Sequence, residues 1–129
     1  MHQYYCGRRG DTFGHYDITP EGGIVVGHIS FFTRPIPTEA LCAIEGTEVN
    51  RSSIEAEIGW SIRESERGRG YASRGGRCIL DHAFDTLNLN RVLAIADTEN
   101  AASVRVMPKL NMDTFAYANG EKTIGLATP

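Results

Sequence analysis

The 129-residue chain has few of the features that would settle its class at once. Its three cysteines, Cys6, Cys42 and Cys78, are odd in number and show no paired Cys-x-x-Cys spacing. That argues against a disulfide framework and a structural zinc site, and reduced thiols are expected. The histidines His2, His15, His28 and His82 lack metal-ligand spacing, so no metal is expected. Aliphatic runs such as Ile24-Val25-Val26 are far too short to span a bilayer. The start, Met1-His2-Gln3-Tyr4-Tyr5-Cys6, lacks the basic and apolar regions of a secretory signal, so a cytoplasmic protein without a membrane partner is expected. Internal repeats and low-complexity tracts are absent from the sequence.

What is there fits one globular domain over residues 1–129: 41% of residues are apolar and 22% charged. The net charge of −3 is unevenly placed. Residues 61–80 carry Arg63, Arg67, Arg69, Arg74 and Arg77 against Glu64 and Glu66, a local +3 that leaves −6 for the remainder. An acidic chain with one basic patch suits a small anionic ligand, and no nucleic-acid partner is expected.

Residues 1–13 show neither helical nor strand periodicity. His15 to Pro20 and Ile24 to Phe32 read as a hairpin joined by Glu21-Gly22-Gly23. Arg34 to Ser53, with Pro35, Pro37 and Gly46, reads as a long connection holding one short helical turn near Thr38 to Ala43. From Ile54 to Ile62, Ile54, Ala56, Ile58, Trp60 and Ile62 share one strand face, and Glu55, Glu57, Gly59 and Ser61 the other. A helix is predicted over Ala72 to Leu87 from the spacing of Ala72, Gly75, Gly76, Ile79, Leu80, Ala83, Phe84 and Leu87. Its two early glycines, each about 1 kcal/mol worse than alanine, imply close packing or a soft first turn. Arg91 to Ala96 is a strand buried on both faces. Ala101 to Leu110 is a second helix, which Pro108 should kink or end, with Asn111 at its left-handed terminus. Asp113 to Ala118 and Glu121 to Ala127 form a hairpin around Asn119-Gly120.

Between the Ile54 strand and the Ala72 helix lies Arg67-Gly68-Arg69-Gly70-Tyr71-Ala72. Glycines clear the side chains that would hold a phosphate off the backbone. The helix start beyond them offers unpaired N–H groups carrying partial positive charge. The stretch reads as an anion cradle for a pyrophosphate.

Several stretches match one family in both residues and spacing. These are Glu57-Ile58-Gly59-Trp60, the glycine-rich turn itself, Leu80-Asp81-His82-Ala83-Phe84, Leu87 to Val92, Asn100 to Val106 and Lys109-Leu110. Over residues 54–112 the chain resembles the GNAT N-acetyltransferase superfamily, in particular its Rim-type branch, named for ribosomal-protein N-terminal acetyltransferases. The resemblance implies a mixed α/β fold, α+β in character. Its strongly twisted and mostly antiparallel sheet is flanked by helices and opened by a central V-shaped splay that takes acetyl-coenzyme A. It also implies an N-acetyltransferase that moves an acetyl group from acetyl-coenzyme A to a primary amine, such as a protein N-terminus, a polyamine or another small-molecule amine.

By the same resemblance, Arg67, Gly68, Arg69, Gly70, Tyr71 and Ala72 would hold the coenzyme pyrophosphate. Trp60, Ser61 and Ile62 would line the pantetheine arm and polarise the thioester carbonyl, and Asn100 would bond the pantetheine. A general base is needed to free the amine. Glu57 is favoured, with Glu55 or water as alternatives. Many relatives carry an acidic tyrosine where this chain has Met107, so Ser103 is the candidate to assist the departing sulfur. No metal enters this chemistry.

Plainer readings stand beside each role. Glu55 and Glu57 could be a solvated strand face, Ser103 a packing residue, and Trp60 core. Arg63, Arg74 and Arg77 are most simply solvated, and Asn100 is a natural N-cap. The region before Ile54 is shorter than a Rim-type enzyme uses for its first strand and two substrate-binding helices. The acceptor site is therefore expected to be shortened, supplied by Arg34 to Ser53, or completed by a partner in a homodimer. Acidic Glu39, Glu45 and Glu48 would attract an amine or merely solvate that loop. The alternatives are a non-catalytic acyl-coenzyme A-binding module and, last, an RNA contact through Arg67 to Arg77.

Overall fold

The computed structural model describes residues 13–20, 23–51 and 53–129. Residues 1–12 of the aperiodic N-terminal stretch, Glu21-Gly22 of the first turn and Ser52 lie outside them. Six strands, β1 (Gly14–Ile18), β2 (Gly27–Ile36), β3 (Ser53–Ile62), β4 (Val92–Asp97), β5 (Asp113–Tyr117) and β6 (Lys122–Ala127), form one sheet in the order β1-β2-β3-β4-β6-β5. Every neighbouring pair is antiparallel except β3 with β4. Helices α1 (Thr38–Glu45), α2 (Tyr71–Asp81) and α3 (Ala101–Lys109) complete the expected mixed α/β architecture.

Alternation along the strands divides the core between the two sheet faces. Tyr16, Ile18, Ile29, Phe31, Ala56, Ile58, Val92 and Ala94 pack with α2 and the end of α3, while Ile36, Leu93 and Ile124 pack with Ala40 and Leu41 of α1. Strand β4 therefore feeds both layers, as its unbroken apolar run requires. On β3 the two faces are less distinct than the pattern suggested. Ala56 and Ile58 are buried, but Ile54 at the strand's start is 72% exposed, and Glu55 and Glu57 are partly covered.

The connection Arg34 to Ser53 proves more ordered than expected. Strand β2 continues through Arg34 and Pro35 to Ile36, and α1 spans eight residues rather than one turn. Proline survives there because β1 pairs with β2 only as far as Phe31. On that side β2 is an edge among the described residues, where a missing N–H costs no ladder bond.

Helix α2 answers the question its glycines pose. A Cβ on Gly75 would meet Ile18 Cδ1 at 3.1 Å, and one on Gly76 would meet Leu110 Cδ1 at 2.9 Å, so the helix packs close against β1 and the end of α3. The predicted single helix to Leu87 is corrected: α2 ends at Asp81 and passes into a π-helical turn, His82–Thr86, closed by the Leu87 N–H donating to His82 O at 3.1 Å. This wider turn keeps Ala83 fully buried.

Helix α3 stops one residue after Pro108, with Asn111 at φ 59°. The last hairpin turns through Ala118, Asn119 and Gly120, all at positive φ. Cys42 is a free thiol, but Cys78 is disulfide-bonded, which corrects the expectation of reduced thiols. Sequence spacing carries no information on which distant cysteines meet in space. Among the described residues, no helix is long and apolar enough to cross a membrane.

Candidate functional site

Strands β2 and β3 share ten register positions, whereas β3 and β4 share one, Glu57 with Leu93. Past that point the two parallel strands part and the sheet opens. The Arg63 N–H donates to Val26 O of the β2 side at 2.7 Å, while Ile62 O accepts from Arg67 Nε at 3.3 Å instead of from β2. By antiparallel alternation, the Trp60 backbone N–H and C=O likewise point away from β2, into the gap. A strand edge with unspent hydrogen-bonding groups thus forms one wall of the opening.

The glycine-rich turn forms the next wall. Gly68 and Gly70 adopt φ 80° and 79°, a region that costs an L side chain about 1–2 kcal/mol. Gly70 is the N-cap of α2 and supplies no side-chain cap, so the first N–H groups of the helix face the opening unpaired by any capping side chain. The turn is braced from behind. Arg74 donates to Arg69 O at 2.8 Å, its guanidinium lies 5.4 Å from the Tyr71 ring centre, and the Ser73 hydroxyl donates to Gly70 O at 3.1 Å. Arg69 turns toward Glu66 at 3.6 Å, and Arg77 toward Asp81 at 4.0 Å.

Helix α3 closes the third side. The result is a cleft of about 600 Å³ bounded by Trp60 to Ile62, by Glu66, Arg67, Gly68 and Gly70 to Ser73, and by Asn100, Ala102, Ser103, Arg105, Val106 and Lys109. It gathers every residue expected to contact the coenzyme except Arg69, and Ser103 as well. Trp60 both packs on the core and lines the cleft, so its two readings coexist. Arg105, Lys109 and Ser73 were missed in the sequence. The helical spacing of 102, 105 or 106, and 109 from Ser103's turn was the available signal.

Asn100 is the N-cap of α3: its Oδ1 accepts from the Ser103 N–H at 3.2 Å. The cap uses only the carbonyl end and leaves the amide end available to donate, so capping would not compete with a ligand contact. The Ser103 hydroxyl has no partner among the described residues, whereas Met107 is fully buried and meets Gly125 rather than the cleft.

The two carboxylates of β3 have different environments. Glu55 accepts from Arg91 Nε at 2.7 Å and Arg91 Nη2 at 3.1 Å, and also from the Ser53 hydroxyl. The Arg91 hydrogen bonds hold its carboxyl below the usual carboxylate range despite partial burial. Burial pushes Glu57 up, opposed by the Arg34 guanidinium. Arg34 Nε lies 2.9 Å from Glu57 Oε2, yet that buried oxygen has no aligned hydrogen bond. Glu57 does not line the cleft. It stands where β3 and β4 part, on the α1 side of the sheet with its register partner Leu93. Glu45 pairs with Arg51 at 3.5 Å and Arg91 at 3.3 Å, so it is committed to the fold. Among the described residues, no group of three or more His, Cys, Asp or Glu side chains is placed to hold a metal.

Comparison with known proteins adds four relationships to this geometry. Residues 2–113 match the family model described as the acetyltransferase (GNAT) domain. Over 56 residues, 43% of this chain and 33% of the relative, the sequence is 41% identical to the uncharacterized N-acetyltransferase YnaD of Bacillus subtilis (strain 168). Over 67 residues, 52% of this chain and 36% of the relative, it is 31% identical to the spermidine N(1)-acetyltransferase of Escherichia coli (strain K12). The match thus spans about a third of the length of these curated relatives. Among solved structures, a GNAT-family acetyltransferase from Bacillus anthracis superposes with a TM-score of 0.66 at 23% identity, covering 88% of this chain and 65% of that one.

Proposed function

Because the chain belongs to the acetyltransferase (GNAT) domain family, we propose that it is an N-acetyltransferase using acetyl-coenzyme A as cosubstrate and a primary amine as acceptor. The observation that carries this reading is the cleft where three independent features converge: the parted edge of β3, the uncapped start of α2 behind two left-handed glycines, and the polar start of α3.

The residues present fit a coenzyme. The start of α2, which no side chain caps, with Arg67, Arg105 and Lys109 around the cleft against Glu66, suits a pyrophosphate-bearing ligand. A cleft of about 600 Å³ is of the size that binds an elongated cofactor. When bound, acetyl-coenzyme A supplies an acetyl thioester whose carbonyl carbon the neutral amine attacks, forming the C–N bond as the C–S bond breaks; the sulfur leaves as thiolate and takes up, directly or through water, the proton that the attacking nitrogen sheds in becoming an amide.

The chain's own groups then divide the work. Backbone N–H groups of the β3 edge near Trp60 stabilise negative charge on the carbonyl oxygen. Glu57, its carboxyl made more basic by burial and opposed in this by Arg34, takes the proton of the ammonium directly or through water. Ser103 donates a hydrogen bond to the sulfur as charge develops there, without losing its own proton. Glu55, locked to Arg91, is the weaker choice of base. This reading carries with it a single catalytic domain, a cytoplasmic setting and a homodimer as further proposals.

Calorimetry with acetyl-coenzyme A, paired with thiol release across an amine panel, tests the proposal. Binding with turnover for at least one amine is expected. Binding without turnover for any amine would favour a non-catalytic acyl-coenzyme A-binding module, a reading that the buried Met107 keeps in play, and absence of binding would overturn both.

A further inference from the structure

We propose that the acceptor is an amine carrying an anionic group beside its nitrogen, a free α-amino acid being the simplest case, with Arg34 holding the anion and Glu57 the ammonium. This deepens the function proposed above and rests on it.

The argument begins with strand register. Phe32 lies opposite Glu57, and Arg34 opposite Glu55, so all four share one sheet face. Arg34 does not take the carboxylate directly across from it. Arg91 already holds Glu55 with two hydrogen bonds, so Arg34 reaches diagonally to Glu57, its Nε 2.9 Å from Oε2. Neither member of that pair is saturated. The Arg34 side chain is 48% exposed and has no other partner among the described residues, which leaves most of its N–H donors uncommitted. Glu57 Oε2 is buried without an aligned hydrogen bond. A cation and an anion thus stand side by side, each with unspent hydrogen-bonding capacity.

Such a pair is complementary to a ligand that also carries both charges. An α-amino acid holds its ammonium and carboxylate on one carbon, close enough to answer both members at once. The carboxylate can bridge the guanidinium in the two-pronged geometry that arginine favours. A polyamine meets the opposite situation, since Arg34 places a positive charge beside the base it must approach. A protein N-terminus carries no carboxylate next to its nitrogen and leaves Arg34 unanswered.

The surroundings are consistent with a small acceptor. Of β2, only Ile36 joins the α1 cluster, so this face remains open over His15 and Asp17 of β1 and over His28 and Phe32 of β2. Phe32 is 41% exposed and stacks edge-on with His15 at 5.1 Å, giving an apolar surface near the charged pair. From β5, Tyr117 lies within electrostatic reach of Arg34 and Glu57, as of Glu39 on α1 and Lys122 on β6.

The test is a calorimetric titration of the coenzyme A-loaded protein with L-leucine, L-leucinamide and spermidine, repeated on Arg34→Gln and Arg34→Lys. L-leucine is expected to bind about tenfold tighter than its amide, the size of one charge-assisted contact. Arg34→Gln should erase that preference by weakening L-leucine alone, and Arg34→Lys should restore part of it. Coenzyme affinity of both variants should stay at the wild-type value, showing that the fold and cleft are intact. Equal affinities for L-leucine and its amide, tighter binding of spermidine, or an Arg34→Gln loss shared by all ligands would overturn the inference. Because the comparison is read on binding, it can fail while turnover of another amine survives. Absence of coenzyme binding would overturn the proposed function itself.

Discussion

Glu57 lies opposite Leu93 at the single register position joining β3 to β4, so this carboxylate stands where the sheet ceases to be continuous. One side of that junction belongs to the α2–α3 cleft and the other to the open face carrying Arg34. In the proposed reaction, a group at this point would reach an acceptor arriving on one face with the thioester along the other.

Replacing this base should separate activity from stability. Glu57→Gln is expected to lower kcat by about 10²–10⁴-fold with coenzyme affinity unchanged. Its folded pKa is raised, so the folded state holds a proton that the unfolded state has already released, and the charged form weakens the fold as pH rises through that window. At neutral pH the variant should therefore melt no lower than wild type. In the wild type, the rate should fall as pH drops through the raised pKa. A pH–rate profile and a melting curve check both statements.

Glu55 should behave in the opposite way. Glu55→Ala removes two hydrogen bonds from Arg91, leaving it Glu45 alone, and is expected to cost about 1–3 kcal/mol of unfolding free energy. Chemical denaturation would measure the loss, and kcat should change little. Since the folded pKa of Glu55 is lowered, its stabilisation is present above its ordinary pKa of 4.5 and disappears as pH falls through the lowered value. The stability gap between wild type and variant should narrow over that acidic range.

Asn100 offers a test with two substitutions. Asn100→Ala removes the cap and should cost about 1 kcal/mol of stability together with coenzyme affinity. Asn100→Asp keeps an oxygen for the Ser103 N–H but loses the amide donor, so stability should stay near wild type while affinity falls. Parallel melting and calorimetric titrations distinguish the two functions of this side chain.

At Gly70, with φ at 79°, alanine is strained by about 1–2 kcal/mol whatever the space around it. Gly70→Ala should lower the melting temperature and weaken acetyl-coenzyme A binding by about tenfold, because relief of that strain would turn the first N–H groups of α2 away from the cleft.

The parts of this architecture that could be read from the sequence were those set by local chemistry. Periodicity located β3, α2, β4 and α3, and Asn119-Gly120 marked the last turn, because each rests on residues close together in the chain. The start of α3 could be read as both a cap and a cleft wall. The continuation of β2 through Pro35 could not, since it depends on where β1 stops pairing. The ion pairs that distinguish Glu57 from Glu55 were equally hidden. Arg91 reaches Glu55 across 36 positions of sequence and Arg34 reaches Glu57 diagonally, and neither contact leaves a local trace. Family resemblance supplied the splayed sheet, which composition and spacing alone do not specify.

Helix α2 begins without a side chain to terminate it. An anion seated at Gly70 would do for its leading amides what serine or aspartate does at an ordinary helix start. The proposed ligand would then complete a secondary-structure element as well as fill a cleft. Since α2 also anchors β1 through Gly75 and the end of α3 through Gly76, any firmness gained at its first turn passes directly into the core. Under the proposed function, coenzyme occupancy and the rigidity of this half of the molecule would be two measures of one equilibrium.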